Sequence, residues 1–432
     1  MGFACDGMLD INLLRRNPKL IQENLRKRNE LKKIRLLNET IKKDARYRSL
    51  LQEAESLRRK RNELTEKVKS LARTGKDIPK TLSLQSKRLM ASIKKIETEV
   101  NALRKQLNQN LKNLPNQIHE SVPVGKDASE NIEVKVFGKK PKFDFPPRNH
   151  VQLIERLGMA DLERAAKIAQ ARFYFLKDDL AKLDFALLNY AIDFLSKRGF
   201  QFVIPPAMMN RNAYEGVVSL EDFQNVMYKV EGEDLFLIAT AEHPLIAMHA
   251  KEVFEIKDLP LKYSGFSTNF RREVGAHGIQ ERGIWRVHQF NKIEQVIFCH
   301  PNDSWQLHEE LIKNTEQFFS SLEIPFRKVN VCTGDLGDVA AKKYDLEAWI
   351  PSANKYMEIA SCSNCTDYQA NRLAIRFRTN QGNKSVHTLN STCVATSRAI
   401  VAILENNQTA NCSIKIPKVL WKYLGGLKEI KA

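Results

Sequence analysis

The sequence predicts an α+β protein: an antiparallel α-helical coiled-coil arm near the N-terminus, then a domain built on an antiparallel β-sheet flanked by helices. Three observations carry that expectation. Apolar residues recur at heptad spacing in two runs, Leu50 to Leu71 and Leu89 to Leu107, separated by a break. From about His150 this pattern gives way to mixed β-like and helical runs. Those runs do not alternate in the regular βαβ order of a parallel sheet.

The arm occupies about residues 31–114, with no proline except Pro79 until Pro115. In its first half Leu50, Ala54, Leu57, Leu64, Val68 and Leu71 step by four and three, with Arg61 at the one skipped seam position. Leu89, Ile93, Ile96, Val100, Leu103 and Leu107 repeat the spacing. Between the runs, ARTGKDIPK carries Gly75 and Pro79, which cannot continue a helix. Two such helices fold back on each other, and roughly 40 residues at about 1.5 Å each span roughly 60 Å.

The formal charge is +18 over 432 residues. Residues 31–120 hold 23 Lys and Arg against 10 Asp and Glu, a net +13, so most of the excess sits on the arm. Mixed signs would satisfy a merely solvated helix face. A bias this one-sided favours tracking a phosphate backbone. Residues 119–148, rich in Pro, Lys, Asn and Ser, read as a linker. The expected organisation is an N-terminal domain over 1–118, the linker over 119–148 and a globular domain over 149–432.

Seven scattered cysteines, an odd number, argue for a reducing compartment rather than a disulfide scaffold. MGFACDGMLD has neither a basic n-region nor a long apolar run, so no secretion or membrane insertion is indicated and a cytoplasmic location is expected. Neither GxxxxGK[ST] nor a strand-coupled GxGxxG occurs, which excludes the two commonest phosphate-binding loops.

In the globular part, helical periodicity covers about Asp161–Lys197. The β-like runs FVIPP, DLFLIAT, LKYSGFS, IWRVHQF, QVIFC, FRKVNVC, DLEAWI, RLAIRFR and VHTLN follow. FRREVGAHGIQERGIWRVHQFNKIEQV, Phe270 to Val296, reads as strand, loop, strand. Alternation puts Arg271 and Glu273 on one face of the first strand. On the second it groups Arg286, His288, Phe290, Lys292 and Glu294. Guanidinium groups, a ring and carboxylates on one floor match a nucleotide with an amino acid beside it. An ion-paired surface hairpin would carry the same pattern.

Other segments decide between them: GFQFVIPP at 199–206, ATAEHP at 239–244, MEIASCSN at 357–364 and HTLNSTCVATSRAIVAILEN at 387–406. With these in order, the chain resembles the seryl-tRNA synthetases, a class II aminoacyl-tRNA synthetase family, nearly end to end. GFQFVIPP is similar to motif 1, FRRE…RVHQFNKIE to motif 2 and NSTCVATSRAIVAILEN to motif 3. The wording NST…ATSR and SNCTDYQ is closer to the archaeal and eukaryotic cytosolic branch. The likeness starts at Met8, so Met1–Gly7 is expected to be an added or alternative start. GAHGIQERG departs from members that carry Thr before the final Gly of that loop.

The resemblance implies a class II catalytic domain over 149–432 that makes seryl-adenylate from L-serine and ATP. Serine would then pass to tRNA(Ser), and to tRNA(Sec) where present. Arg271, at the α-phosphate, and Arg398 would be the catalytic pair. Arg272, Glu273 at the adenine amine, Arg286 at the terminal phosphates, Val287, Phe290, Glu358, Ile359, Ala360 and Ser361 would complete the ATP site. Phe290 and Arg398 would sandwich adenine. Glu358 and Ser361 would hold Mg2+ with ATP. Thr240, Ala241, Glu242, Glu294, Asn390 and Thr392 would bind serine, rejecting alanine because their polar groups would stay unpaired. The arm would hold tRNA, and motif 1, Gly199 to Pro206, would join a homodimer.

Cys362 and Cys365 could be half a zinc site, but no second CxxC or CxxH accompanies them, so packing is expected. His277, His288 and His387 read as structural. Asp345 and Glu347 either line the site or pair with Lys342 and Lys343; pairing is favoured.

Overall fold

The computed structural model describes residues 11–75, 77, 79–219, 226–273 and 283–431. Met1–Gly7, His277 and most of GAHGIQERG lie outside them. The chain divides into two compact units, Met8–Leu114 and a second containing Pro115–Ala432.

In the first unit the heptad runs form helices α1 (Leu31–Arg73) and α2 (Lys80–Lys112). Leu50, Ala54 and Ile96 form the buried seam, with Leu57, Val100 and Leu103 packed against it. The register is antiparallel: Asn110 donates to Thr40 at 3.2 Å, and Arg58 meets Glu97 at 2.6 Å. Gly75, at φ +67°, follows the end of α1, and Pro79 caps α2, so the break falls where these residues place it. Leu64, Val68 and Leu71, beyond Arg61, are only half-buried.

The second unit is built on eight strands: β1 (Ile132–Phe137), β2 (Gln201–Val203), β3 (Leu261–Phe270), β4 (Gln289–Cys299), β5 (Phe326–Asn330), β6 (Lys342–Ile350), β7 (Lys355–Asn364) and β8 (His387–Ala395). Their order is β1-β5-β6-β7-β8-β4-β3-β2, antiparallel except for the parallel β2–β3 pair. Helices α3 (Asp178–Ser196), α4 (Ser304–Ser321) and α5 (Thr396–Asn406) cover it. Leu187 of α3, Phe318 of α4 and Ile400 of α5 join Ile297, Leu346 and Leu389 of the strands in one core.

Three local expectations need correction, and one strand was not expected. The supposed linker holds β1, which pairs along β5, with Phe137 stacked on Phe326 at 4.5 Å between ring centroids. Its alternating IEVKVF is short, and the Lys- and Pro-rich sequence around it hides it. The helix expected over Asp161–Lys197 is two, Leu162–Ala169 and α3, because Gln170 and Arg172 take positive φ and the strand Phe175–Leu176 intervenes. RLAIRFR divides at Ala374 (φ +55°) into a helix end and the strand Arg376–Thr379. β7 was not among the expected strands, since Ser and Cys occupy positions where alternation looks for aliphatic residues.

Candidate active site

β3 and β4 pair from Leu261↔Phe298 to Phe270↔Gln289, then part. Arg271 and Glu273 therefore lie beyond β3, and Arg286 and His288 precede β4, rather than sitting on strands. The backbone donors explain this. Arg271 N–H still reaches the His288 carbonyl at 2.9 Å, but Arg272 donates to Val226 and His288 to Arg172, each at 3.0 Å, drawing the chains apart. Glu273 adopts φ +46°, and His288 Nδ1 lies 2.8 Å from the Arg271 carbonyl, which pins the turn. Arg286 then meets Glu273 at 3.1 Å.

A cavity of about 320 Å³ opens between this turn, β4, β7 and β8. On one side Lys292 and Glu294, two apart on β4, form an ion pair of 2.6 Å with side chains 6% and 2% exposed. Thr392, opposite Glu294 on β8, donates to it at 3.1 Å. Glu242 opens the short helix Glu242–Ala247 and accepts from Gln369 at 2.9 Å. Burial and the nearby Glu294 push its carboxyl up to about 7. This helix can press on β3 because Gly265 has no side chain; a Cβ there would stand 2.8 Å from that of Ala241.

On the other side the Arg271 guanidinium lies 5.3 Å from the Phe290 ring centroid, with Nε 3.3 Å from the Ala239 carbonyl. Burial and the Arg398 charge lower the Arg271 pKa, the mark of a cation placed where an anion would relieve it. Arg398, in the first turn of α5, donates to the Glu358 carbonyl at 2.9 Å and stands 3.4 Å from its carboxylate. Burial would raise Glu358, but Arg398, Lys343 and Arg271 outweigh it and hold the group below its usual range. Glu358 and Ser361 are three apart and would face opposite sides of a regular strand. The register slips where Leu346↔Ala360 is followed by Glu347↔Glu358, so Ile359 is an extra residue and both side chains line the cavity.

Of the expected site residues, Thr240, Glu242, Arg271, Glu273, Arg286, Val287, Phe290, Glu294, Glu358, Ile359, Ala360, Ser361, Asn390, Thr392 and Arg398 line this cavity. Ala241 and Arg272 do not: Ala241 is fully buried in the apolar cluster with Leu245, and the Arg272 side chain is exposed. Sequence reasoning placed Lys292 on this face but gave it no role, and it missed Trp285, His243 and the stretch from Leu336 to Ala340. The Leu336 stretch carried no pattern. Cys362 and Cys365 are buried, and among the described residues no three His, Cys, Asp or Glu gather as metal ligands. His387 Nδ1 meets Ser304 at 2.9 Å. Asp345 pairs with Lys343 at 3.4 Å, whereas Glu347 pairs with Arg327 at 2.6 Å instead of a lysine.

An antiparallel sheet whose β3–β4 turn, β7 and α5 converge on opposed arginines and carboxylates defines the catalytic core of a class II aminoacyl-tRNA synthetase. The family described as tRNA synthetase class II core domain (G, H, P, S and T) matches residues 227–407, and the Seryl-tRNA synthetase N-terminal domain matches residues 8–118. The chain belongs to the seryl-tRNA synthetase family. It is 50% identical to the serine–tRNA ligase of Methanocella arvoryzae over 426 residues, 98% of this chain and 100% of that one. The crystal structure of seryl-tRNA synthetase from Pyrococcus horikoshii complexed with ATP is 47% identical with TM-score 0.95, covering 98% of this chain and 99% of that one. The cytoplasmic serine–tRNA ligase of Naegleria fowleri in complex with AMP is 37% identical with TM-score 0.89, covering 99% of each chain. The activity is that of a serine–tRNA ligase, which forms seryl-adenylate from L-serine and ATP and transfers serine to the 3′ end of tRNA(Ser).

Proposed function

We propose that the cavity holds ATP and serine on either side of Arg271. The observation that carries this is the opposition of two partly buried guanidinium groups, Arg271 and Arg398, to the carboxylates Glu242 and Glu294. ATP stacks its adenine on Phe290, with Glu273 accepting from the amine and Val287, Ile359 and Ala360 bounding the base and ribose. Its phosphates turn toward Arg271, Arg286 and Arg398. Arg272 contributes through its backbone, which holds the Arg271 turn. The relatives solved with ATP and with AMP support a nucleotide here.

Serine places its ammonium between Glu242 and Glu294, with Thr240, Asn390 and Thr392 closing around the hydroxyl and Ala241 packing behind. Its carboxylate attacks the α-phosphorus, a bond to oxygen forms, and pyrophosphate leaves. Arg271 stabilises the charge that builds at the α-phosphate. No side chain acts as nucleophile, so rate comes from positioning and electrostatics. Glu358, ionised, with the Ser361 hydroxyl makes an all-oxygen donor pair that fits Mg2+. When bound, the ion neutralises phosphate charge.

The basic arm takes tRNA(Ser) by its backbone, and tRNA(Sec) where present. A homodimer through Gly199 to Pro206 would cover Ile204 and, on α3, Phe185, which are 70% and 64% exposed. The site of action in this reading is the cytoplasm; among the described residues no helix is long and apolar enough to cross a membrane. The test is ATP–pyrophosphate exchange. It should depend on serine, not alanine or threonine, and fall at least about 100-fold in Arg271→Ala. Exchange by that variant within about tenfold of the parent would overturn the assignment.

A further inference from the structure

Asn116, 4% exposed, lies two residues past Leu114 and ties together two segments of the cavity wall. Its Nδ2 lies 2.9 Å from the Val339 carbonyl, 2.7 Å from the Cys365 carbonyl and 3.0 Å from Thr366 Oγ1. Its backbone N–H donates to the Asp338 carbonyl at 2.8 Å. Asp338 and Val339 belong to the connection between β5 and β6, whereas Cys365 follows β7; all three line the cavity. Cys365 Sγ in turn accepts from Asn390 at 3.6 Å. The following residues keep to the same connection: His119 donates to the Ala341 carbonyl at 2.9 Å, and Val122 packs with Leu336 and Ala340.

We propose that Asn116 is a positioning residue for the serine subsite, resting on the assignment of Asn390 to that subsite. One amide group donating to carbonyls of two separate segments sets the distance between them. Without it the half-buried Val339 carbonyl loses this donor, the Cys365 carbonyl is left with the Tyr368 N–H at 3.1 Å, and the Asp338–Val339 wall loses its side-chain tie to the Cys365 turn on which Asn390 rests. Phe290 and Arg398 stand on β4 and α5, outside this tie, so ATP binding keeps its supports. The consequence is a selective loss of serine affinity. Asn116→Asp, equal in size but without the donors, should not restore it.

The experiment is exchange kinetics of the full chain with serine and ATP varied in turn. Asn116→Ala and Asn116→Asp should raise the serine KM about tenfold or more and leave the ATP KM within about threefold. Thr366→Val, which removes only the hydroxyl beside Asn116, should shift serine KM in the same direction by less, and it serves if the Asn116 variants do not fold. Equal movement of both KM values, or a serine KM within about twofold of the parent in all variants that fold, overturns the proposal. Arg271→Ala in the same assay tells this apart from failure of the site assignment itself: its loss of exchange would stand while the Asn116 effect vanished.

Discussion

Lys292 Nζ and Glu294 Oε2 stand 2.6 Å apart, on one face of β4, with both side chains almost wholly withdrawn from water. Thr392 adds a hydrogen bond to the same carboxylate from the neighbouring strand. Breaking such a pair from one side costs more than never having formed it, because the remaining charge is stranded in a poorly solvating interior.

Lys292→Met should therefore lower stability by about 3–5 kcal/mol, read by urea unfolding. Adding Glu294→Gln should recover most of that stability without recovering pyrophosphate exchange, since in the proposed site the serine ammonium would have lost its partner. A single variant as stable as the parent would contradict the intact pair.

Phe290→Ala removes the ring that Arg271 faces and that adenine would stack on. The ATP KM should rise about tenfold while the serine KM stays within about twofold. Equal shifts would mean that Phe290 only packs.

Glu242 gives the site a pH dependence. Burial and Glu294 raise its carboxyl from 4.5 to about 7 in the folded chain. The folded state thus holds the proton more tightly, so this group's contribution to stability is full below about 4.5 and is lost as pH rises through about 7. Accepting an ammonium requires the ionised form, so the serine KM should climb by up to about tenfold per unit as pH falls below that value. Glu242→Gln should flatten the profile. A parent profile flat between pH 6 and 8, roughly one unit either side of neutrality, would remove Glu242 from that role.

Much of this was legible in the sequence because it depends on period or on composition. The heptads set the α1–α2 seam down to Gly75 and Pro79, and alternation placed Phe290, Lys292 and Glu294 on one face of β4. What stayed hidden depends on where backbone donors go. Arg271 and Glu273 leave the ladder because Arg272 and His288 bond elsewhere. Glu358 and Ser361 share a face only through the slip at Ile359. Residues 119–148 looked like a linker because β1 finds its partner about two hundred residues away, in β5.

The central claim, that adenylation belongs to the cavity and tRNA capture to the arm, is tested most directly by replacing residues 31–114 with a short Gly-Ser turn and assaying both half-reactions. Exchange should persist within a few-fold, charging of tRNA(Ser) should collapse, and the parent's charging should weaken with salt more steeply than its exchange, as released counterions require. Loss of exchange together with charging, or charging that survives the deletion, would contradict it.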